Sequence, residues 1–106
     1  LGQMELKLMA ARHFIYSVAE KFEDASTKGQ IKNELGAAKN IVVNSAIEIV
    51  DLAMRIVGAK SLQNNNPLNR YYRDVRAGLH NPPMDDMTLT KLAKSAIADY
   101  TNPIIL

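Results

Sequence analysis

The chain has 106 residues, of which 47% are hydrophobic and 23% are charged, values that are ordinary for a soluble globular domain and exclude wholesale disorder. Its formal net charge of +2 is too small to indicate binding to nucleic acid, and it contains no run of about 18 apolar residues that would predict a membrane span. Because cysteine is absent, disulfides, thiolate nucleophiles and cysteine-ligated zinc are excluded. The absence of cysteine also permits a cytoplasmic location, which is our expectation.

At this length we expect one compact domain that spans residues 1–106. The sequence starts with Leu1 instead of an initiator methionine, and it enters a helical pattern at once, without a targeting segment. We therefore expect this domain to be part of a longer chain.

Two long helices are predicted first, one between residues 4 and 22 and one between about 30 and 57. Apolar residues recur in both at steps of three and four, so each helix has one apolar face. The polar stretch between them is typical of a short connection between antiparallel helices. On the second helix, small residues such as Gly36 and Ala38 would allow another helix to approach closely, and Gly58 is expected to end it.

A third, shorter helix is predicted after the asparagine-rich stretch that ends at Asn66. Asn66 is expected to cap this helix, with Pro67 at the first helical position, where a missing N–H costs nothing. Gly78 and then the pair Pro82-Pro83 are expected to terminate it.

The last predicted helix begins near Asp85 or Asp86, either of which can cap it, and ends at Asn102-Pro103. No segment shows a strand pattern. The predicted fold is therefore all-α, an antiparallel four-helix bundle of the up-down type.

Arg70, Arg73 and Arg76 recur at every third position of the third helix, where their guanidinium groups could hold a phosphate or a carboxylate. The alternative is a solvated face with intrahelical ion pairs, for example with Asp74, each worth about 0.2–0.5 kcal/mol. The spacing alone favours this alternative.

His80 follows the third helix and could donate or accept a proton near neutral pH. A histidine near a helix C-terminus is also a simple partner for the last carbonyls, and without context this role is favoured. His13 is expected to be an ordinary interfacial residue. The two histidines do not have the spacing of metal ligands, so no metal site is predicted.

Two segments together carry a family resemblance: residues 56–62, IVGAKSL, and residues 67–76, PLNRYYRDVR. They resemble the C-terminal helical domain of the acyl-CoA dehydrogenase family, in which a long helix ends in a Gly-Gly-x-Gly turn and a helix with an Arg-Asp-x-Arg motif follows. Residues 4–12, MELKLMAAR, are similar to the first segment of the C-terminal domain in that family. The resemblance covers nearly all of the chain.

The resemblance implies that an N-terminal helical domain and a middle β-domain hold most of the FAD and substrate sites, so residues 1–106 alone should be inactive. It also implies a homodimer or homotetramer in which the turn after the long helix reaches the FAD of a neighbouring subunit. By position, Gly58 and Ala59 match the paired glycines, Ser61 replaces the last glycine, and Arg55 takes the place of a flavin-contacting polar residue. Glycine in such a turn allows close approach of the backbone.

The glutamate that removes the substrate's α-proton in many family members aligns with Pro82, which cannot act as a base. Some members place the base on an earlier helix, outside the region covered here. Others share the fold but are flavin-dependent monooxygenases with a histidine after an Arg-aromatic-aromatic-Arg helix. Residues 70–73, RYYR, followed by His80 are similar to that pattern, which makes His80 a candidate for assisting oxygen chemistry at the flavin.

The predicted function is therefore that of the C-terminal domain of an FAD-dependent, acyl-CoA dehydrogenase-like oxidoreductase, which oxidises an acyl-CoA at its α and β carbons. Two alternatives stay open, a flavin monooxygenase of the same fold that uses His80 and a helical module for protein interaction. The candidate catalytic residue is His80, and the candidate FAD contacts are Arg55, Gly58, Ala59 and Ser61. No metal, nucleic acid or membrane partner is expected.

Overall fold

The computed structural model describes residues 1–101. Its helices are α1 (Gly2–Glu23), α2 (Lys32–Val57), α3 (Pro67–Arg76) and α4 (Asp85–Thr101), with 3₁₀ turns at Lys28–Gln30, Gly58–Leu62 and Ala77–His80. No strand occurs in this part of the chain, so the predicted all-α fold with four helices is confirmed. None of the helices in it combines the length and the apolar character needed to cross a membrane. The predicted stop at Asn102-Pro103 lies outside the described residues.

The predicted signals at the C-terminal end of α2 and at the start of α3 are confirmed, whereas α3 ends at Arg76, two residues before Gly78. The side chain of Asn66 accepts a hydrogen bond of 2.9 Å from the backbone N–H of Leu68, and Pro67 is the first helical residue. Gly58 ends α2 with a positive φ of 81°, and its N–H donates to the carbonyl of Met54. The start of α2 is two residues later than predicted, because a 3₁₀ turn precedes it.

The predicted caps of α4 lie inside its first turn. The first bond of this helix joins the N–H of Thr88 to the carbonyl of Met84, 3.1 Å apart, so Met84 stands at the cap position. The carboxylate of Asp86 accepts the N–H of Met87 at 2.9 Å, whereas that of Asp85 accepts a hydrogen bond from Asn44 of α2. Both acids are therefore engaged at the helix start, although neither is the cap residue.

The central element is α2, against which α1, α3 and α4 all pack. Lys21 of α1 pairs with Glu34 near the start of α2, whereas Lys7 pairs with Glu48 farther along, so α1 and α2 are antiparallel. The other two helices also run antiparallel to α2. Contacts near Asp51 place α3 along the C-terminal half of α2, and contacts from residue 44 back to residue 33 place α4 along its N-terminal half.

Small residues permit this packing, as predicted for Gly36. A Cβ at Gly36 would lie 3.3 Å from the hydroxyl oxygen of Thr88, so α2 and α4 approach closely at this point. Thr88 itself is only 4% exposed.

The core of the described residues is small and the shape is elongated. The buried hydrophobic residues among them are Ala11, Val18, Ile31 and Ala38. The radius of gyration is 17.3 Å and the extents are 58 × 26 × 24 Å, whereas a compact domain of this length has a radius of gyration of about 13 Å. Residues of the predicted apolar stripe such as Phe22 remain 42% exposed. Apolar helix faces therefore stay uncovered within residues 1–101.

Candidate functional site

The turn after α2 presents exposed backbone at Gly58. The φ of 81° and ψ of −153° at this residue lie in a region that is essentially restricted to glycine. No heavy atom lies within 4 Å of the position that a Cβ would occupy, so the space beside the turn is open. Ala59 is also exposed.

Ser61 is buried in this turn and stabilises it by a hydrogen bond. It is 2% exposed, and its hydroxyl donates a hydrogen bond of 2.7 Å to the carbonyl of Gly58. The replacement of glycine by serine at this position therefore adds a bond within the turn and leaves the outer side of the turn open.

Arg55 lies on α2 just before the turn and is exposed. It borders a shallow depression that Lys7, Glu48 and Asp51 also line, and it forms no ion pair with any residue of the described range. The end of α2 and the turn therefore bring together the four candidate FAD contacts.

His80 lies elsewhere on the molecule. It is the exposed last residue of the 3₁₀ turn Ala77–His80, and Gly78 in that turn packs against Val43 in the middle of α2. Gly58 lies fifteen positions after Val43, which at about 1.5 Å per residue corresponds to roughly 22 Å along the helix axis. The structure does not bring His80 together with the four residues at the end of α2.

Two of the three arginines of α3, Arg70 and Arg76, contact different partners. Arg76 turns toward α2, where its guanidinium group lies 3.3 Å from a carboxylate oxygen of Asp51, and it also donates to the carbonyl of Tyr72 and stacks on the Tyr72 ring. Arg70 lies over the ring of Tyr71 instead. Arg76 therefore forms an ion pair, but its partner is Asp51 of α2 and not a residue of its own helix, so helical spacing could not reveal it.

Two further α2 residues, Lys39 and Asn44, were missed by sequence reasoning. Lys39 donates to the carbonyls of Asn81 and Pro83, and Asn44 donates to the carboxylate of Asp85 at 2.9 Å. These bonds fix the stretch that follows His80, residues 81–84, either directly or through Asp85 at its end. The available signal was the presence of polar residues, Lys39 and Asn44 among them, within a largely apolar stretch of α2.

The segment after His80 contains two carboxylates, and both accept hydrogen bonds. Residues 82–84 have no ionisable side chain, and the carboxylates of Asp85 and Asp86 already accept hydrogen bonds from Asn44 and from Met87. Within residues 1–101, no three acidic or histidine side chains gather into a potential metal site.

An open apolar groove of about 530 Å³ runs between α1 and α2. Its apolar lining includes Ile15, Val18, Phe22, Leu35, Ala38 and Val42, and Lys39 and Glu23 also line it.

Comparison with known proteins places these features in one family. A family model described as "Acyl-CoA dehydrogenase, C-terminal domain" matches residues 1–81. The chain belongs to the acyl-CoA dehydrogenase family. The protein named "Putative acyl-CoA dehydrogenase YdbM" from Bacillus subtilis (strain 168) is 60% identical to it over 95 residues, which are 90% of this chain and 25% of that protein. The chain thus spans about a quarter of the length of that relative.

This membership in the acyl-CoA dehydrogenase family confirms the resemblance inferred from the glycine turn and the Arg-Asp helix. The matched range includes His80 and all four candidate FAD contacts, and it ends at Asn81, directly before the two prolines.

Proposed function

We propose that residues 1–106 are the C-terminal domain of a longer FAD-dependent acyl-CoA dehydrogenase, and that this domain contributes to the flavin site and to subunit assembly. The observation that carries the proposal is the exposed turn at Gly58, which lies within the range that the family model matches. The alternative of an isolated interaction module is not favoured, because the chain belongs to a family of oxidoreductases.

The residues at the end of α2 fit a dinucleotide. Gly58 has no side chain, and the space next to it is open, so a planar ring or a phosphate can approach the backbone closely. Arg55 supplies an exposed cation without an ion-pair partner among the described residues, which suits the negative charge of a pyrophosphate. In this proposal Arg55, Gly58 and Ala59 contact FAD, and Ser61 keeps the turn in shape.

When bound, FAD supplies the acceptor for the hydride that leaves the β carbon of an acyl-CoA. The proton at the α carbon needs a base, and Pro82, Pro83 and Met84 cannot provide one. Asp85 and Asp86 each accept a hydrogen bond at the start of α4, and we propose that the base comes from a part of the protein outside residues 1–106.

We also propose that the protein is a cytoplasmic homodimer or homotetramer, in which the turn at Gly58 reaches the FAD of a neighbouring subunit. Two observations support this arrangement. The turn and His80 lie roughly 22 Å apart along α2, so they would approach flavin at distant points. In addition, residues 1–101 have exposed apolar faces, and such faces are typical of surfaces that are buried against other domains or other subunits.

The test is the visible spectrum of the full-length protein, recorded without oxygen while saturated acyl-CoA esters of different chain lengths are added. Bleaching of the oxidised flavin by at least one of them is expected. A flavin that stays oxidised with every ester, in a protein shown to bind them, would contradict the proposal.

A flavin monooxygenase of the same fold is the second candidate, and two observations favour it. A proline stands at the position of the family's glutamate, and His80 is exposed beside that position. If this candidate is correct, the protein supplied with reduced flavin and O₂ should transfer one oxygen atom to a substrate and release the other as water, and the His80→Ala variant should keep its flavin but lose this activity. Unchanged turnover in His80→Ala would reject the role of His80.

A further inference from the structure

A lysine lies at the point where α2 meets the stretch that follows His80. Lys39 is half-buried, and its ammonium group donates to the backbone carbonyl of Asn81 and, at 2.8 Å, to that of Pro83. One side chain of α2 thus binds two carbonyls that are more than 40 residues away in the sequence.

The sequence of this stretch explains why it needs an outside donor. Pro82 and Pro83 have no backbone N–H, so this stretch cannot form the regular pattern of hydrogen bonds that would fix its shape. An ammonium group has three N–H donors, and its charge makes bonds to carbonyls stronger than neutral ones. Lys39 therefore supplies from α2 two donors to the carbonyls of a stretch that has few N–H donors of its own.

Two more contacts with the same part of α2 fix the ends of the stretch. Gly78 packs against Val43 before it, and Asp85 accepts a hydrogen bond from Asn44 after it. Asn44 is itself oriented by a second hydrogen bond of 2.8 Å to the carbonyl of Asn40. Residues 39–44 thus hold His80 and the two prolines between three points of attachment.

We propose that Lys39 is a positioning residue: by binding the carbonyls of Asn81 and Pro83, it sets where His80 and the proline pair stand relative to the reacting part of the flavin. This inference rests on the proposed function as a flavoenzyme. Lys39 does not touch the reacting atoms itself, because its donors are directed at the backbone.

The test uses three variants of the full-length flavoprotein. Lys39→Met removes the ammonium group and keeps most of the aliphatic stem, and Lys39→Arg keeps a charged donor. Lys21→Met is the matched control, because Lys21 is also a lysine that pairs with α2, through Glu34 at 3.4 Å, but its ammonium group has no hydrogen bond to residues 80–87. Three quantities are measured for each: amide hydrogen exchange at residues 80–87, flavin content, and the rate of flavin bleaching by an acyl-CoA against its concentration.

In Lys39→Met we expect faster exchange at residues 80–87, unchanged flavin content, and bleaching at saturating acyl-CoA that is about 10- to 100-fold slower, the size of effect that a small misplacement causes. The acyl-CoA concentration that gives half the maximal rate should stay the same. Lys39→Arg should recover most of the rate, and Lys21→Met should behave as the unmodified protein.

Unchanged hydrogen exchange in Lys39→Met would overturn the inference, whatever the enzyme's reaction is. Faster exchange with an unchanged bleaching rate, or with loss of the flavin, would also overturn it, because Lys39 would then have a structural role only. If the unmodified protein does not bleach with any acyl-CoA, the proposed function fails, whereas hydrogen exchange still decides whether Lys39 holds the stretch.

Discussion

Gly78 lies directly against Val43: a Cβ atom at position 78 would come within 2.9 Å of both methyl carbons of the valine. This distance is too short for any side chain to fit without a shift of α3 or α2. The close approach places the 3₁₀ turn that carries His80 on the middle of α2.

The Gly78→Ala substitution should therefore destabilise the full-length protein by about 1–3 kcal/mol, the usual cost of overpacking, and lower its midpoint of thermal unfolding. Adding Val43→Ala makes room for the new methyl group, so the double variant should lose less stability than the sum of the two single variants. Gly29→Ala is the control, because nothing lies within 4 Å of its Cβ position. An unchanged midpoint in Gly78→Ala would show that the two helices are not in contact here.

The turn at Gly58 should tolerate no other residue. Its φ of 81° and ψ of −153° strain any side chain by about 1–3 kcal/mol. Gly58→Ala and Gly58→Asn should both lower the thermal midpoint and weaken flavin retention, which is measured by the absorbance that remains after gel filtration. Asparagine adopts the ordinary left-handed helical conformation readily, so a stable Gly58→Asn variant would contradict the backbone geometry described for this turn.

The cap of α3 is a local source of stability. Asn66 accepts the N–H of Leu68, and Asn66→Ala should cost about 1 kcal/mol, read as a lower thermal midpoint. The neighbouring Asn65→Ala is the matched control, since Asn65 is exposed and lies outside the helix. Equal effects of the two substitutions would show that Asn66 does not cap the helix.

The connection after α1 contains Asp24, whose pKa is shifted in a known direction. The carboxylate of Asp24 accepts hydrogen bonds from the hydroxyl and the backbone N–H of Ser26, at 2.8 and 2.9 Å, and both hold the pKa of Asp24 below its usual value. Because the pKa is lower in the folded state, the stabilisation is present at pH values above the unfolded pKa and is lost as the pH falls through the folded pKa.

An NMR titration of the Asp24 carboxyl carbon should show this lowered pKa, and Ser26→Ala should raise the pKa of Asp24 toward its usual value, because the hydroxyl bond is the largest cause. Ser17→Ala, on an exposed part of α1, should leave the titration unchanged. A titration of Asp24 at its usual pKa in the unmodified protein would contradict this account.

Local signals in the sequence predicted the helices well. The apolar spacing of α1 and α2, the Asn66-Pro67 start of α3 and the stop at Gly58 depend on neighbouring residues, so they can be recognised without a tertiary structure. The size of the core could not be recognised in this way. Ile15 and Phe22 belong to the apolar stripe of α1 but remain exposed within the described residues. A periodic pattern predicts which face of a helix is apolar, but it does not predict whether the surface that buries this face lies in the same segment.

The candidate site was predictable only in part. The candidate FAD contacts lie within seven residues of sequence, so a family motif could indicate them together. The contacts of Lys39 with Asn81 and Pro83, and of Arg76 with Asp51, join residues that are 25 to 44 positions apart. Backbone carbonyls have no sequence signature, so only the packing of α3 and the proline stretch on α2 reveals these contacts.

The most direct test of the central claim is the product formed by the full-length flavoprotein from a saturated acyl-CoA in the absence of oxygen, identified by mass spectrometry after one turnover. Acyl-CoA dehydrogenation predicts an enoyl-CoA that is lighter than the substrate by two hydrogen atoms, in an amount equal to the flavin that is bleached. Recovery of unchanged acyl-CoA with a fully oxidised flavin, for every chain length that binds, would contradict it.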